Sequence, residues 1–262
     1  MKPLLSVNNL SVAYAGGRIK EALKNASFKL YKGEILGIVG ESGSGKTTLA
    51  SSILNILPSG TRKEGEVIFE GRNILKMNDK ELRNIRGNRI SIVFQEPAAS
   101  FNPVLTVGYH FLEFMGKNSA MNKRENKGRI IEDLLRKSGI YDTKRVLKSY
   151  PHELSGGQLQ RAMIALAISS NPDILIADEP TSSLDVTVES QIVNLLLELR
   201  KELGFTILFI THNLGLVKVL CNRVAFLYRG EVKEITDTKS LFLRPKHEST
   251  KVFINDYLRL VS

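Results

Sequence analysis

The sequence predicts an α/β fold: a mainly parallel core sheet covered on both faces by helices. Three observations carry this. Apolar runs of strand length at 35–39, 90–94, 174–177 and 206–210 alternate with helical stretches. The first run leads directly into Gly40-Glu41-Ser42-Gly43-Ser44-Gly45-Lys46-Thr47, which fits the phosphate-cradling pattern G-x-x-x-x-G-K-[ST] between a strand and a helix. Residues 97–170 instead carry helical periodicity with few strand signals, as an inserted helical lobe would.

Taken in order, residues 4–14 alternate loosely and 26–31 alternate again before a turn at Lys32-Gly33. A buried strand at 35–39 precedes the glycine-rich loop, and a helix from Lys46 to Leu57 is stopped by Pro58-Ser59-Gly60. Residues 65–71 read as a short strand between glycine turns, and 90–94 as an apolar strand leading into Gln95. After the helical block, strand 174–177 ends in Asp178-Glu179-Pro180. Residues 188–203 form an amphipathic helix ended by Gly204, and 206–210 return to strand. Val224 to Tyr228, Arg229-Gly230 and Glu231-Val232 predict a late hairpin.

Among 262 residues, 42% are hydrophobic and 24% charged, which is ordinary for a globular chain with a substantial core. No apolar stretch approaches membrane-helix length, and polar Asn8-Asn9 follow too soon for a secretory leader, so a cytosolic protein is expected. A single cysteine, Cys221, excludes an internal disulfide and a multi-cysteine metal cluster, and reads as a small buried apolar side chain. The net charge of +10 admits nucleic acid, an anionic membrane or a polyanionic nucleotide as partner. Residues 117–148 hold ten Lys/Arg against four Asp/Glu, interleaved with apolar residues as on a solvated helix face or one near lipid headgroups.

The chemistry lies in several constellations. Gly40, Ser42, Gly43, Ser44 and Gly45 turn backbone N–H groups inward around phosphate oxygens, and the helix beginning near Lys46 adds its positive dipole end. Lys46 reaches the β- and γ-phosphates, Thr47 ligates Mg²⁺, and Thr48 follows on the same turn. Asp178 and Glu179, at the carboxyl end of a strand, sit where the phosphate crevice of an open α/β sheet lies. Asp178 then serves the Mg²⁺ shell and Glu179 is the candidate general base for the attacking water. Ser155, Gly156, Gly157 and Gln158, in Leu154-Ser155-Gly156-Gly157-Gln158-Leu159-Gln160-Arg161, open a helix and form a second anion site.

In this order, Lys46, Gln95, Ser155, Asp178-Glu179, Asp185 and His212, the chain resembles the ATPase subunit of an ABC transporter. The resemblance runs from the Tyr14 region to about residue 250. It implies a P-loop NTPase with an N-terminal antiparallel β-subdomain and a nucleotide-binding lobe of residues 1–96 and 171–240. It also implies a helical signature lobe at 97–170 and a short tail at 241–262. It further implies that Gln95 contacts Mg²⁺ and water and that His212 is the switch histidine at the γ-phosphate. Asp185, in Ser182-Ser183-Leu184-Asp185, crosses a dimer interface. Tyr14 fits the aromatic that stacks on adenine, against the alternative of a strand tyrosine packed in the core. ATP is then sandwiched between one subunit's P-loop and the other's Ser155.

A narrower resemblance lies in Phe94-Gln95-Glu96-Pro97-Ala98-Ala99-Ser100-Phe101-Asn102-Pro103, Tyr150-Pro151-His152-Glu153 and Leu184-Asp185-Val186-Thr187-Val188. It is to bacterial oligopeptide, dipeptide and nickel import ATPases. That branch implies two integral-membrane permease subunits, a second ATPase subunit that is identical or different, and an extracytoplasmic substrate-binding protein acting indirectly. The chain would be peripheral on the cytoplasmic face of the cell membrane, with ATP and Mg²⁺ as cofactors and no nucleic acid as partner. Two departures stand out: Pro245-Lys246-His247 continues as Glu248-Ser249-Thr250 where the branch often has Pro-x-His-Pro-Tyr-Thr, and no cysteine-rich extension follows. His247 therefore reads as a packing residue of the tail. An ABC exporter ATPase, then a non-transport ABC ATPase acting on nucleic acid, remain the alternatives. The latter usually carries long heptad arms, and none fits between Thr47 and Leu154.

Overall fold

The computed structural model describes residues 2–15, 20–116, 124–182 and 184–261. In chain order the strands are β1 (Leu5–Tyr14), β2 (Lys20–Leu30), β3 (Ile35–Val39), β4 (Arg62–Phe69), β5 (Arg72–Asn73), β6 (Ile90–Val93), β7 (Ile174–Asp178), β8 (Thr206–Thr211), β9 (Arg223–Tyr228) and β10 (Glu231–Asp237). The helices are α1 (Lys46–Ile53), α2 (Asp79–Ile85), α3 (Pro97–Ser100), α4 (Val107–Gly116), α5 (Arg124–Lys137), α6 (Thr143–Lys148), α7 (Gly156–Ile168), α8 (Val186–Leu203), α9 (Leu214–Leu220), α10 (Thr238–Leu243) and α11 (Glu248–Val261). They divide into two compact units, Met1–Leu82 with Thr206–Ser262, and Arg83–Phe205.

The first unit holds an antiparallel sheet in the order β2-β1-β4-β5. β1 turns Leu5, Val7, Leu10 and Val12 inward, all at most 1% exposed. The step of three between Val7 and Leu10 marks a bulge, where Asn9 takes φ 48° and the pairing to β2 shifts register. That extra residue is why the alternation in the sequence is loose. β4 runs from Arg62 to Phe69, starting three residues before the sequence-based strand at 65, and Glu70-Gly71 turn it into β5.

Beside it, β3 lies between β8 and β9, parallel to both, and β10 pairs antiparallel with β9. A strand flanked on both edges and covered on both faces reads as a continuous apolar run, and every residue of β3 is buried. The hairpin between β9 and β10 turns at Arg229 (φ 49°) and Gly230 (φ 83°), a two-residue connection with both φ positive. α1 ends at Ile53, short of the expected Leu57. Asn55 takes φ 52°, and the Asn55 and Ile56 N–H groups donate to the Ser52 and Ser51 carbonyls at 3.0 and 2.9 Å. This left-handed close satisfies the last carbonyls before Pro58 is reached.

The second unit carries β6 paired in parallel with β7, and the helices α3 to α8. Asp185 caps α8 by accepting from the Val188 N–H at 3.0 Å, and Gly204, at φ 76°, ends it. The basic stretch of the sequence maps in part onto α5 and α6. Its residues 117–123 lie outside the described ones.

Residues after 237 form helices α10 and α11. The Glu234 carboxylate on β10 accepts from the Lys246 and His247 N–H groups at 3.0 and 2.9 Å, and Phe253 packs on Phe226 with centroids 5.1 Å apart. His247 is thus fixed through its backbone. No helix among the described residues is long and apolar enough to cross a membrane.

Candidate functional site

In the first unit, the loop from Gly40 to Gly45 leaves the carboxyl end of β3 and opens α1. Two glycines are dictated by space. A Cβ on Gly40 would stand 2.1 Å from the Leu227 carbonyl oxygen. Gly45 adopts φ 108°, and a Cβ there would stand 2.5 Å from the Ala22 oxygen. The loop is therefore pressed onto the β2 and β9 ends while Glu41, Ser42 and Gly43 stay exposed. Lys46 is only 6% exposed, and its Nζ donates to the Gly40 and Glu41 carbonyls at 2.9 Å each, folding the amine over the mouth of the loop. Ser44 is 5% exposed, and its hydroxyl has no hydrogen-bond partner among the described residues. An orphaned hydroxyl, a buried ammonium and a ring of loop amides suit a phosphate chain.

Two further residues join this loop. Tyr14, half-buried at the end of β1, shares a 3.1 Å hydrogen bond between its hydroxyl and Thr48 Oγ1 on α1. His212 follows β8, whose Thr211 pairs with Val39 of β3, so His212 and Gly40 leave neighbouring strand ends together. His212 is exposed, and Asn213 beside it caps α9 by accepting from the Gly215 N–H at 2.9 Å. Thr47 is exposed on the first turn of α1.

In the second unit, Val93 pairs with Ala177, which sets Gln95 and Asp178-Glu179 just beyond the carboxyl ends of one parallel pair. Asp178 is 2% exposed and Gln95 is exposed. Glu179 takes φ 47°, a left-handed conformation uncommon for a glutamate. Its carbonyl accepts from the Ser182 N–H and hydroxyl at 3.3 and 3.2 Å, and a turn from Thr181 to Leu184 follows. Backbone strain of this kind is held by its surroundings: Pro180 is buried and the Thr181 hydroxyl donates to Glu189 Oε2 on α8 at 2.9 Å. Ser183 of the same turn lies outside the described residues.

Ser155 caps α7 in a reciprocal box: its Oγ accepts the Gln158 N–H at 3.3 Å, and Gln158 Oε1 accepts the Ser155 N–H at 3.4 Å. Gly156 and Gly157 form the first turn, and a Cβ on Gly157 would stand 3.1 Å from Val188 Cγ1. The signature turn is thereby packed against the start of α8, next to Asp185. Sequence reasoning missed what aims α7. Arg161 donates to the Ser138 carbonyl at 3.1 Å and to Gln191 Oε1 at 2.8 Å, tying the helix to the end of α5 and to α8. The signal was present, since Arg161 closes the quoted signature, but its partners lie 23 and 30 residues away. The Thr181–Glu189 link, between residues eight apart, was missed because it closes only once the turn at Glu179 has folded back onto α8.

Residues 23–182 match the ABC transporter domain family. The chain belongs to the ABC transporter family. This ABC protein is 44% identical over 255 residues to the probable peptide ABC transporter ATP-binding protein y4tR of Sinorhizobium fredii, covering 96% of this chain and 76% of that one. It is 41% identical over 264 residues to the dipeptide transport ATP-binding protein DppD of Bacillus subtilis, covering 99% and 78%. Among solved structures it resembles the ATP-binding cassette MJ0796 in a dimeric post-hydrolysis state bound to ADP and Pi. The TM-score is 0.78 at 31% identity, over 89% of this chain and 98% of that one. The fold is that of an ABC ATPase cassette, with parallel core pairings and an antiparallel N-terminal sheet, and the chain is an ATP-binding ATPase subunit.

Proposed function

We propose that this ABC ATPase energises uptake of oligopeptides or dipeptides through separate permease subunits. It would work peripherally on the cytoplasmic face of the cell membrane. The observation that carries this is the match to ATP-binding proteins named for peptide and dipeptide transport over 96–99% of the chain, spanning loop, signature and acidic strand end alike. Nickel-type metal, free or chelated, is the cargo to test beside peptide. Two permease subunits, a second ATPase subunit and an extracytoplasmic binding protein complete the assembly.

In the cycle, the Gly40–Gly45 amides, Ser42, Ser44 and Lys46 hold the triphosphate, and Lys46 moves from the loop carbonyls onto the β- and γ-oxygens. Thr47, Asp178 and Gln95 supply the hydroxyl, carboxylate and amide oxygens of the kind that hold Mg²⁺. Bound there, Mg²⁺ neutralises charge on the phosphate oxygens. Tyr14 stacks on adenine, and Thr48 holds Tyr14 in place. Glu179 accepts a proton from the attacking water as oxygen bonds to the γ-phosphorus and the bond to the β–γ bridging oxygen breaks, giving ADP and phosphate. His212 donates to the γ-phosphate oxygens. Ser155, Gly156, Gly157 and Gln158 of one subunit close on the partner's ATP, with Asp185 at the interface. The helical lobe at 97–170 receives the permease, and the nucleotide lobe at 1–96 and 171–240 carries hydrolysis.

The test is uptake by cells lacking the gene, with labelled oligopeptide and labelled nickel assayed in parallel. Loss of peptide uptake, restored by the wild type and not by Glu179→Gln, is the expected result. Unchanged uptake of peptide overturns the peptide reading, and loss of nickel uptake alone reassigns the cargo.

A further inference from the structure

A second cavity lies in the first unit, formed by the end of α9, the start of α10 and the β9–β10 region, with a volume of about 550 Å³. That is within the range of pockets that enclose small organic ligands. None of its lining residues belongs to the nucleotide loop, to His212 or to the strand ends described above.

The wall carries two cations, Lys218 and Lys239, and one carboxylate, Asp237, which lies near enough to Lys239 to feel its charge. Its acceptors are partly engaged inside the protein. The Asp237 carboxylate accepts from the Ser240 N–H at 2.9 Å, which together with the Ser240 hydroxyl holds it below the usual carboxylate range. Asn222 Oδ1 accepts from the Ile35 N–H at 2.8 Å, and the Thr238 hydroxyl donates to the Cys221 carbonyl at 2.6 Å. Among the lining groups, donors outnumber the one exposed carboxylate. Lys218 and Lys239 are both exposed and make no ion pair within 4 Å among the described residues, and the Asn222 amide keeps its NH₂. Between these donors the wall is apolar. Phe242 is held edge-on against Tyr257 with centroids 6.1 Å apart, and Leu243 is 68% exposed at the rim. Cys221 adds a buried thiol that stays neutral.

We propose that this cavity binds a small organic anion with an apolar body, its anionic group between Lys218 and Lys239 and its body against Phe242, Leu243 and Cys221. Two cations against one carboxylate leave the apolar wall with an excess positive charge, which matches a carboxylate with an acyl or aromatic body better than its uncharged or cationic counterpart. The apolar wall supplies affinity by burial, and the lysines supply the preference for charge. The site is separate from the nucleotide loop and does not depend on the transport reading.

The test is calorimetry on the full chain with decanoate below its micellar concentration and with N-acetyl-Leu-Phe. These two arms separate an acyl chain from a peptide carboxyl terminus as the source of the same chemistry. Decanol and decyltrimethylammonium serve as uncharged and cationic controls. We expect saturable one-to-one binding of at least one carboxylate, at least tenfold tighter than either control. The binding weakens at least tenfold in the double variant Lys218→Gln/Lys239→Gln and in Leu243→Asp, while ATP affinity is unchanged. The substituted residues are exposed, and an unchanged urea midpoint verifies that the variants fold. Absence of saturable carboxylate binding, equal binding of decanol, or undiminished binding in the double variant overturns the proposal.

Discussion

Tyr14 separates two roles that one side chain can play at the edge of a phosphate loop. Its hydroxyl meets Thr48 Oγ1 at 3.1 Å, so it braces the helix that follows the loop, while its half-buried ring keeps a surface that a base could stack on. Tyr14→Phe removes only the brace. Thr48 is half-buried, so water reaches its freed hydroxyl, and the cost stays near that of one neutral hydrogen bond, about 0.5–1.5 kcal/mol. Tyr14→Ala also removes the ring. Stacking of a base on an aromatic contributes about 1–3 kcal/mol by alanine substitution. At about 1.4 kcal/mol per tenfold, that weakens ATP binding about 5- to 150-fold. The chain contains no tryptophan, so calorimetry is preferred to intrinsic fluorescence for the titration. Inorganic tripolyphosphate is titrated beside ATP, because it fills the loop and has no base. The expected outcome is that Tyr14→Ala weakens ATP and leaves tripolyphosphate unchanged, while Tyr14→Phe leaves both within about twofold and lowers only the urea midpoint. An equal fall for both ligands in Tyr14→Ala would mean that the ring merely supports the loop. No fall for either would remove Tyr14 from the site.

Three further outcomes are expected. Glu179→Gln binds Mg-ATP normally and loses about 10²- to 10⁴-fold in turnover, accumulating a dimer seen by size-exclusion chromatography; wild-type turnover would remove Glu179 as base. Ser155→Ala loses its half of the capping box and costs about 1 kcal/mol in the denaturation midpoint, whereas Ser155→Arg also blocks the ATP-dependent dimer; loss of ATP binding to the isolated subunit would count against the trans arrangement. Cys221 is pushed up from 9.0 to about 12 by burial, so at pH 8 iodoacetamide labels the native thiol about a thousandfold more slowly than the urea-unfolded one. Because the folded value is the raised one, the stability it reflects is full below about pH 9 and falls as pH rises toward about 12. A midpoint unchanged between pH 8 and 11 would contradict the burial.

The parts of the fold legible in the sequence are those set by local signals. β3, β7 and β8 are buried along their whole length, so unbroken apolar runs betray them within a residue or two. Gly204 and Arg229-Gly230 announce a helix end and a hairpin because only certain residues take positive φ cheaply. One boundary failed where a weaker residue did the same work, since Asn55 closed α1 before Pro58, whereas the Asn9 bulge only loosened the alternation of β1 within its expected bounds. α11 carries the local signal of an amphipathic helix, and only its partners, Phe226 for Phe253 and Phe242 for Tyr257, lay beyond any local pattern. The site followed the same rule. Gly40–Thr47, Asp178 and His212 could be read from strand ends, since each follows the carboxyl end of a parallel strand within its own unit. Arg161, Thr181 and Glu189 could not, because each acts through a contact that no local pattern encodes.

The placement of the signature turn bears on why one chain needs a second. Ser155 Oγ uses one of its two lone pairs on the Gln158 N–H and keeps its own proton to donate, and the first N–H groups of α7 have no intrahelical acceptor. Gly156 is exposed, and a side chain on Gly157 would crowd Val188, so the two glycines leave the backbone donors of the turn uncovered. The loop at Gly40–Gly45 presents an exposed turn at Glu41–Gly43 with the Lys46 ammonium beside it. Under the proposed assembly, the donors of α7 would serve a triphosphate held by a second ATPase subunit, and ATP would join the two. Hydrolysis would then remove the γ-phosphate that both sets share, and the closed state would lose the differential affinity that favoured it. A subunit lacking the α7 donors would still bind ATP and would not couple that binding to closure, which is the distinction that Ser155→Arg measures.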